Sequence, residues 1–134
     1  MLLPPQSCDV DRMSSTDLAY IGDVVYELFV RSRSVWPPKR TSDLQTDVVG
    51  FVRAEFQSRL LAQLKEDVEL SEKERQVLSR GRNAVSGSAR NRRDPAAYQD
   101  ATALEALLGY LYIADSQRCA EIFQWMEAHM NSVE

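Results

Sequence analysis

Between Asp100 and Asp115 the chain carries one carboxylate, Glu105, and two tyrosines in a run otherwise built from alanine, leucine, glycine, threonine and isoleucine. A helix that is apolar nearly all round is buried on more than one side, so this segment demands neighbours on several faces. The rest of the chain offers helices to supply them: helical spacing recurs in every segment, with no strand-like alternation of useful length, no internal repeat and no low-complexity tract. The expected fold is all-α, a helical bundle in a single domain. At 134 residues and 44% hydrophobic content the chain can bury a real core but is short for two.

The signals along the chain predict five helices. Ser14 and Asp17 have capping-box spacing and open a helix to about Arg33, with Leu18, Ile21, Val25, Leu28 and Phe29 expected on its core face. Trp36-Pro37-Pro38 ends it. One helical region is expected from Thr41 through Leu64, with Gly50 as a bend, carrying Leu44, Val48, Val49, Val52, Phe56 and Leu60. Ser71 and Glu74 form a second capping box and open a short helix to about Gly81, after which the composition up to Arg93 reads as a mobile basic loop. Asp94-Pro95 starts the apolar helix, and Ser116 is expected to cap a last one bearing Ile122, Phe123, Trp125 and Met126. Residues 1–13 read as an extension, 14–130 as the domain and 131–134 as a tail. Tyr20, Tyr26, Tyr110, Tyr112, Trp36 and Trp125, at helical spacing, read as core side chains in preference to base-stacking platforms.

Composition removes several function classes. A single histidine, His129, close to the C-terminal end of the sequence, argues against His-rich zinc sites and against Ser-His-Asp chemistry, so catalysis is expected to run on carboxylates. No run of about 18 apolar residues is present, and Met1 to Asp11 has no basic-then-apolar leader pattern, so a mature, soluble, non-membrane protein is expected. Cys8 and Cys119 are expected to be reduced thiols. The net charge of −4 conceals an uneven distribution: from Arg75 to Arg93 there are six arginines and no acid, a local +6 beside −10 for the remainder.

Two carboxylates lie in unusual surroundings. Asp23 sits on a helix with apolar side chains on two faces and no basic residue between Arg12 and Arg31; it is expected in a partly desolvated place. Glu105 is isolated among Ala101, Thr102, Leu108 and Gly109. A buried lone carboxylate is paired, metal-bound or protonated, and two of them suggest one shared cation. Gly22 beside Asp23 and Gly109 one turn from Glu105 each cost about 1 kcal/mol in a helix interior unless close backbone approach needs them. Oxygen-only ligands select a hard ion, magnesium with manganese as a substitute. Ion pairs with arginines from other helices are the competing reading.

The residues also carry a resemblance. Leu18-Ala19-Tyr20-Ile21-Gly22-Asp23-Val24-Val25-Tyr26-Glu27 resembles the signature helix of the ribonuclease III family, and Thr102-Ala103-Leu104-Glu105-Ala106-Leu107-Leu108-Gly109-Tyr110 is similar to the family's other metal-binding helix. Arg80-Gly81-Arg82-Asn83-Ala84 through Ser86-Gly87 looks like the hallmark of the mini-ribonuclease III group, which lacks the double-stranded-RNA-binding domain. The resemblance implies an all-helical homodimer that hydrolyses double-stranded RNA with magnesium and leaves 5′-phosphate and 3′-hydroxyl ends. It implies Asp23 and Glu105 as catalytic metal ligands, with Glu27 as an additional candidate. Thr16, Ala19 and Thr102 stand where the full-length family has further acids, losses the mini group shares. The group's implied role is trimming large-subunit (23S) ribosomal RNA precursor, with a ribosomal protein as a candidate partner and the bacterial cytoplasm, ahead of a plastid, as the place. Arg80, Arg82, Asn83, Ser86, Arg90, Arg92 and Arg93 are the residues expected to touch RNA, since arginines and small polar groups suit the phosphates and 2′-hydroxyls of an A-form duplex. A catalytically silent RNA-binding or ribosome-assembly module is the alternative in a different class, and a purely structural dimerisation domain is the third.

Overall fold

The computed structural model describes residues 7–85 and 92–133. Among these, six α-helices follow one another: α1 (Ser15–Ser34), α2 (Thr41–Val52), α3 (Ala54–Asp67), α4 (Glu72–Ala84), α5 (Pro95–Ala114) and α6 (Ser116–His129), with short 3-10 turns at Val10–Arg12 and Met130–Ser132. The all-α expectation holds, and the described residues contain no strand. The helix α5 is the axis. Ala101, Ala103, Leu104, Ala106, Leu107, Leu108 and Leu111 are all buried, and α1, α3, α4 and α6 pack around it. Its start is the expected one: the Asp94 carboxylate accepts from Ala97 N–H at 3.1 Å, with Pro95 in the first turn.

The region from Thr41 to Leu64 is two helices, so the described residues hold six helices where five are expected. The break falls at Arg53, whose extended backbone (φ −70°, ψ 156°) ends α2 and begins α3. Gly50 stays helical in open space, and a flexible residue in the sequence therefore misled about where the chain turns. The last helix is capped one residue earlier than expected, by Asp115, whose side chain accepts from Arg118 N–H at 3.0 Å.

The buried face of α1 also differs from the expected stripe. Leu18, Ala19, Gly22, Tyr26 and Val30 turn inward, whereas Leu28 is exposed and Ile21, Val25 and Phe29 are half-buried. On a helix apolar all round, hydrophobicity does not choose the face; the glycines do. A Cβ built on Gly22 would overlap the Glu105 carbonyl and stand 2.9 Å from Gly109 N, and one on Gly109 would overlap the Leu18 carbonyl and stand 3.0 Å from Gly22 N. The two helices therefore cross backbone against backbone, which brings Asp23 and Glu105 to one crossing point. Of the aromatics expected in the core, Tyr26 is buried, Tyr110, Tyr112 and Trp125 are half-buried, and Tyr20 and Trp36 are exposed.

The second capping box forms as the sequence indicates. Ser71 Oγ accepts from Glu74 N–H at 3.0 Å and the Glu74 carboxylate accepts from Ser71 N–H at 2.8 Å. The same buried carboxylate also accepts from Arg118 on α6, Nε at 2.7 Å and Nη2 at 3.0 Å, so one side chain caps α4 and ties it to α6. The Arg118 hydrogen bond, working against burial, holds the Glu74 carboxyl below its ordinary value of 4.5. A depressed carboxyl stabilises the fold above its unfolded value and loses that contribution as pH falls through the folded one. Glu74→Ala is expected to cost about 2 kcal/mol at neutral pH, from the lost acceptor for Ser71 N–H and the lost pair of charge-assisted bonds to Arg118, which keeps Glu121 and the Glu69 carbonyl as partners. Chemical denaturation at pH 7 and pH 3.5 checks this: the difference between wild type and variant shrinks at the lower pH.

Candidate active site

Asp23 on α1 and Glu105 on α5 face each other where the glycines let the two helices touch, with their carboxyl groups within hydrogen-bonding reach. Asp23 is exposed, contrary to the desolvated place expected for it, and Glu105 is half-buried; the pair therefore has a wet side and a dry side. Burial first, and the Asp23 charge second, push the Glu105 pKa up to about 8, against the pull of a hydrogen bond from Gln57. Among the described residues neither acid has a lysine or arginine partner, so the ion-pair reading of this pair has no support.

Two carboxylates forced together without a cation are unfavourable as two charges. A folded-state value raised from 4.5 to about 8 means that the folded protein holds more proton than the unfolded chain between those limits. In chelator, stability should therefore fall as pH rises from about 4.5 to about 8. Glu105→Gln should flatten that slope, and thermal unfolding of both proteins at a series of pH values reads it. An unchanged slope would mean that Glu105 does not carry the proton.

Glu27, one turn along α1 from Asp23, has Arg31 as its partner. Its carboxylate meets Arg31 at 2.5 Å, and among the described residues no group of three histidines, cysteines or acids comes together in a way that could hold an ion. The arrangement gives no support to Glu27 as an additional ligand.

The arginine-rich segment divides into different roles. Arg82 pairs with Asp100, which also accepts from Ser58 Oγ at 2.7 Å, so Arg82 ties α4 to α5 and α3. Arg80 is exposed and in no ion pair among the described residues. Asn83 is exposed at the end of α4, which runs three residues past the expected Gly81. Arg92 lies over the Tyr98 ring, 4.3 Å from its centroid. Arg93 lines a hollow of about 530 Å³ with Arg53, Arg59, Glu55, Asp94 and Pro95. Ser86 and Arg90 lie outside the described residues.

Arg53, Arg59 and Gln57 were not singled out by the sequence. The two arginines reach the same hollow as Arg93 only because the chain breaks at Arg53, and nothing in spacing locates that break. Gln57 did leave a signal, an amide between Phe56 and Leu60 on the apolar face of a helix, and it proves to be 2% exposed.

Residues 16–116 match the Ribonuclease III domain family. The chain belongs to the ribonuclease III family and is a ribonuclease III-type endoribonuclease. Within it, the chain is similar to proteins named Mini-ribonuclease 3: 41% identical over 126 residues to that of Synechocystis sp., covering 94% of this chain and 86% of the relative. It is 47% identical over 113 residues to that of Gloeobacter violaceus, covering 84% and 82%. A crystal structure of a protein from Fusobacterium nucleatum superposes with a TM-score of 0.77 at 25% identity, covering 91% of this chain and 98% of that one.

Proposed function

We propose that the chain hydrolyses double-stranded RNA with a divalent ion held by Asp23 and Glu105. The observation that carries this reading is the pair itself: two carboxylates from two helices, brought together by a glycine crossing, with no protein cation between them among the described residues. An all-oxygen donor set of this kind fits magnesium or manganese. Bound there, such an ion would supply Lewis-acid polarisation of a phosphate and activation of water. Asp23, on the open side, faces arriving RNA. Glu105, on the closed side, is kept from bulk water by α5 and its neighbours, which strengthens its hold on a cation.

The duplex reading is supported by Arg80, Arg92 and Arg93, exposed near the end of α4 and the start of α5, and by Arg53 and Arg59 across the hollow from Arg93. Contacts to phosphates release counterions, so Arg80→Gln with Arg93→Gln is expected to weaken duplex binding and reduce the salt slope by about one per residue. Binding measured from low to moderate salt checks it, and an unchanged slope would take both residues off the RNA surface.

A second copy of the chain is proposed to cover Tyr20, Val24 and Leu28, which form one stripe along α1 at 78%, 65% and 56% exposure. An apolar stripe of this kind on a small domain marks an interface, and a two-fold dimer would use it on both copies. Leu28→Lys should give the monomer mass by sedimentation where wild type gives twice that. No helix of the described residues is long and apolar enough to cross a membrane, and bacterial cytoplasm is proposed as the place of action.

The reading is tested with a long RNA duplex and a single strand of the same sequence, in magnesium. Cutting of the duplex alone, with 5′-phosphate ends, supports it; cutting of the single strand equally well refutes the duplex preference. Binding without cutting would favour the silent module. Large-subunit ribosomal RNA precursor, with and without ribosomal protein, is the proposed natural substrate to try next.

A further inference from the structure

The last carbonyls of a helix have no donor within it, and at the Arg53 break those of α2 are taken by two side chains that border the acid pair. The Tyr26 hydroxyl donates to the Phe51 carbonyl at 2.6 Å. Gln57 Nε2 donates to the Val52 carbonyl at 2.8 Å, and the same nitrogen donates to Glu105 Oε2 at 3.3 Å. Both of its contacts are acceptors, so turning the amide over would set Oε1 against the Val52 carbonyl; the chemistry fixes its orientation.

This amide is placed at a cost. It is 2% exposed and its Oε1 has no hydrogen-bond partner among the described residues. A buried unpaired carbonyl is destabilising, a cost that an apolar side chain of the same size would avoid. Closing the Val52 carbonyl needs one donor only. What the amide adds is its reach to α5, where it gives the Glu105 carboxylate a donor opposite the Asp23 carboxyl.

We propose that Gln57 is a positioning residue for the cleavage reaction: through its amide it fixes the Glu105 carboxylate in the orientation that faces Asp23, and so prepares the pair to take the ion. This rests on the divalent-ion reading above. Side chains that hydrogen-bond a ligating carboxylate orient it, and losing one costs about 10- to 100-fold in affinity or activity. The Gln57 amide turns the α2–α3 break into part of the site, because the donor that closes the break also holds Glu105.

The test is calorimetric titration of magnesium or manganese into RNA-free protein, for wild type, Gln57→Met, Gln57→Asn and Glu105→Gln. Helical content and cleavage kinetics are followed in parallel. The proposal predicts metal affinity lower by about 10-fold or more in whichever Gln57 variant keeps wild-type helical content, with kcat reduced by a similar factor and KM for duplex RNA unchanged. Wild-type metal affinity in a folded variant would overturn it, because a merely structural Gln57 alters melting and not affinity. Failure of both variants to fold would overturn it too, by making the amide a requirement of the fold. If wild type binds no ion, or Glu105→Gln binds as wild type does, the divalent-ion reading itself fails and the proposal fails with it.

Discussion

Asp23→Asn is expected to lower RNA cleavage by about 10³-fold or more, the loss of roughly 4 kcal/mol of transition-state stabilisation that a correctly held ion supplies. The same variant, in chelator at pH 9, is expected to unfold at a higher temperature than wild type. Ionised Glu105 no longer faces a second negative charge there, and the asparagine amide can donate to it. The gain should be about 1 kcal/mol, because burial is the larger cause of the Glu105 shift and the substitution leaves burial in place. At pH 6, where Glu105 carries its proton, most of the gain disappears. Gel analysis of a duplex substrate and melting curves at the two pH values check both halves. Retained cleavage in a clean preparation would remove Asp23 from the mechanism, and an unaltered melting curve at pH 9 would remove the repulsion from the account of the pair.

The second large effect belongs to the crossing. Gly22→Ala puts a methyl group into the Glu105 carbonyl, and Gly109→Ala puts one into the Leu18 carbonyl. The neighbours that must give way are backbone, which moves only if α1 and α5 separate. Each substitution is expected to cost about 3 kcal/mol or more, the upper end of overpacking, and to lower the melting temperature by about 10 °C. The double variant should lose less than the sum, since one separation of the helices relieves both overlaps. Gly50→Ala is the control: nothing lies within 4 Å of a Cβ there, and in a helix interior alanine is favoured over glycine by about 1 kcal/mol. Thermal unfolding of the four proteins reads the contrast. A Gly22→Ala protein as stable as wild type would mean that the helices are not held at backbone contact.

Much of this was legible in the residues, and what was not has physical reasons. The two acids stand out because Glu105 is the one carboxylate of an apolar run and Asp23 has apolar neighbours and no base between Arg12 and Arg31, and the glycines beside them announce a close approach; both features survive as the centre of the site. The capping signals at Ser14, Ser71 and Asp94 set helix starts correctly because they act over three residues. The inward face of α1 was misjudged because its sequence is apolar on every side, and the choice between faces is made by backbone contact at Gly22. That choice leaves Leu28 outside and takes Tyr26 inside. The break at Arg53 was missed because it needs no glycine or proline, only an extended residue whose flanking carbonyls are closed by Tyr26 and Gln57, distant in sequence or hidden in a helix. Arg82, grouped with the other arginines by composition, turned out to serve the fold through Asp100.

As the seat of the proposed divalent-ion-dependent cleavage of duplex RNA, the Asp23–Glu105 pair is open to one decisive assay. The most direct measurement incubates purified wild type and Glu105→Gln with a long RNA duplex in magnesium, in chelator, and in chelator with magnesium restored, and follows fragment length over time. Shortening is expected for wild type in magnesium, none in chelator, recovery when the ion returns, and no shortening by Glu105→Gln under any condition. Shortening by wild type in chelator, or by Glu105→Gln at the wild-type rate, would contradict the proposed role of the pair.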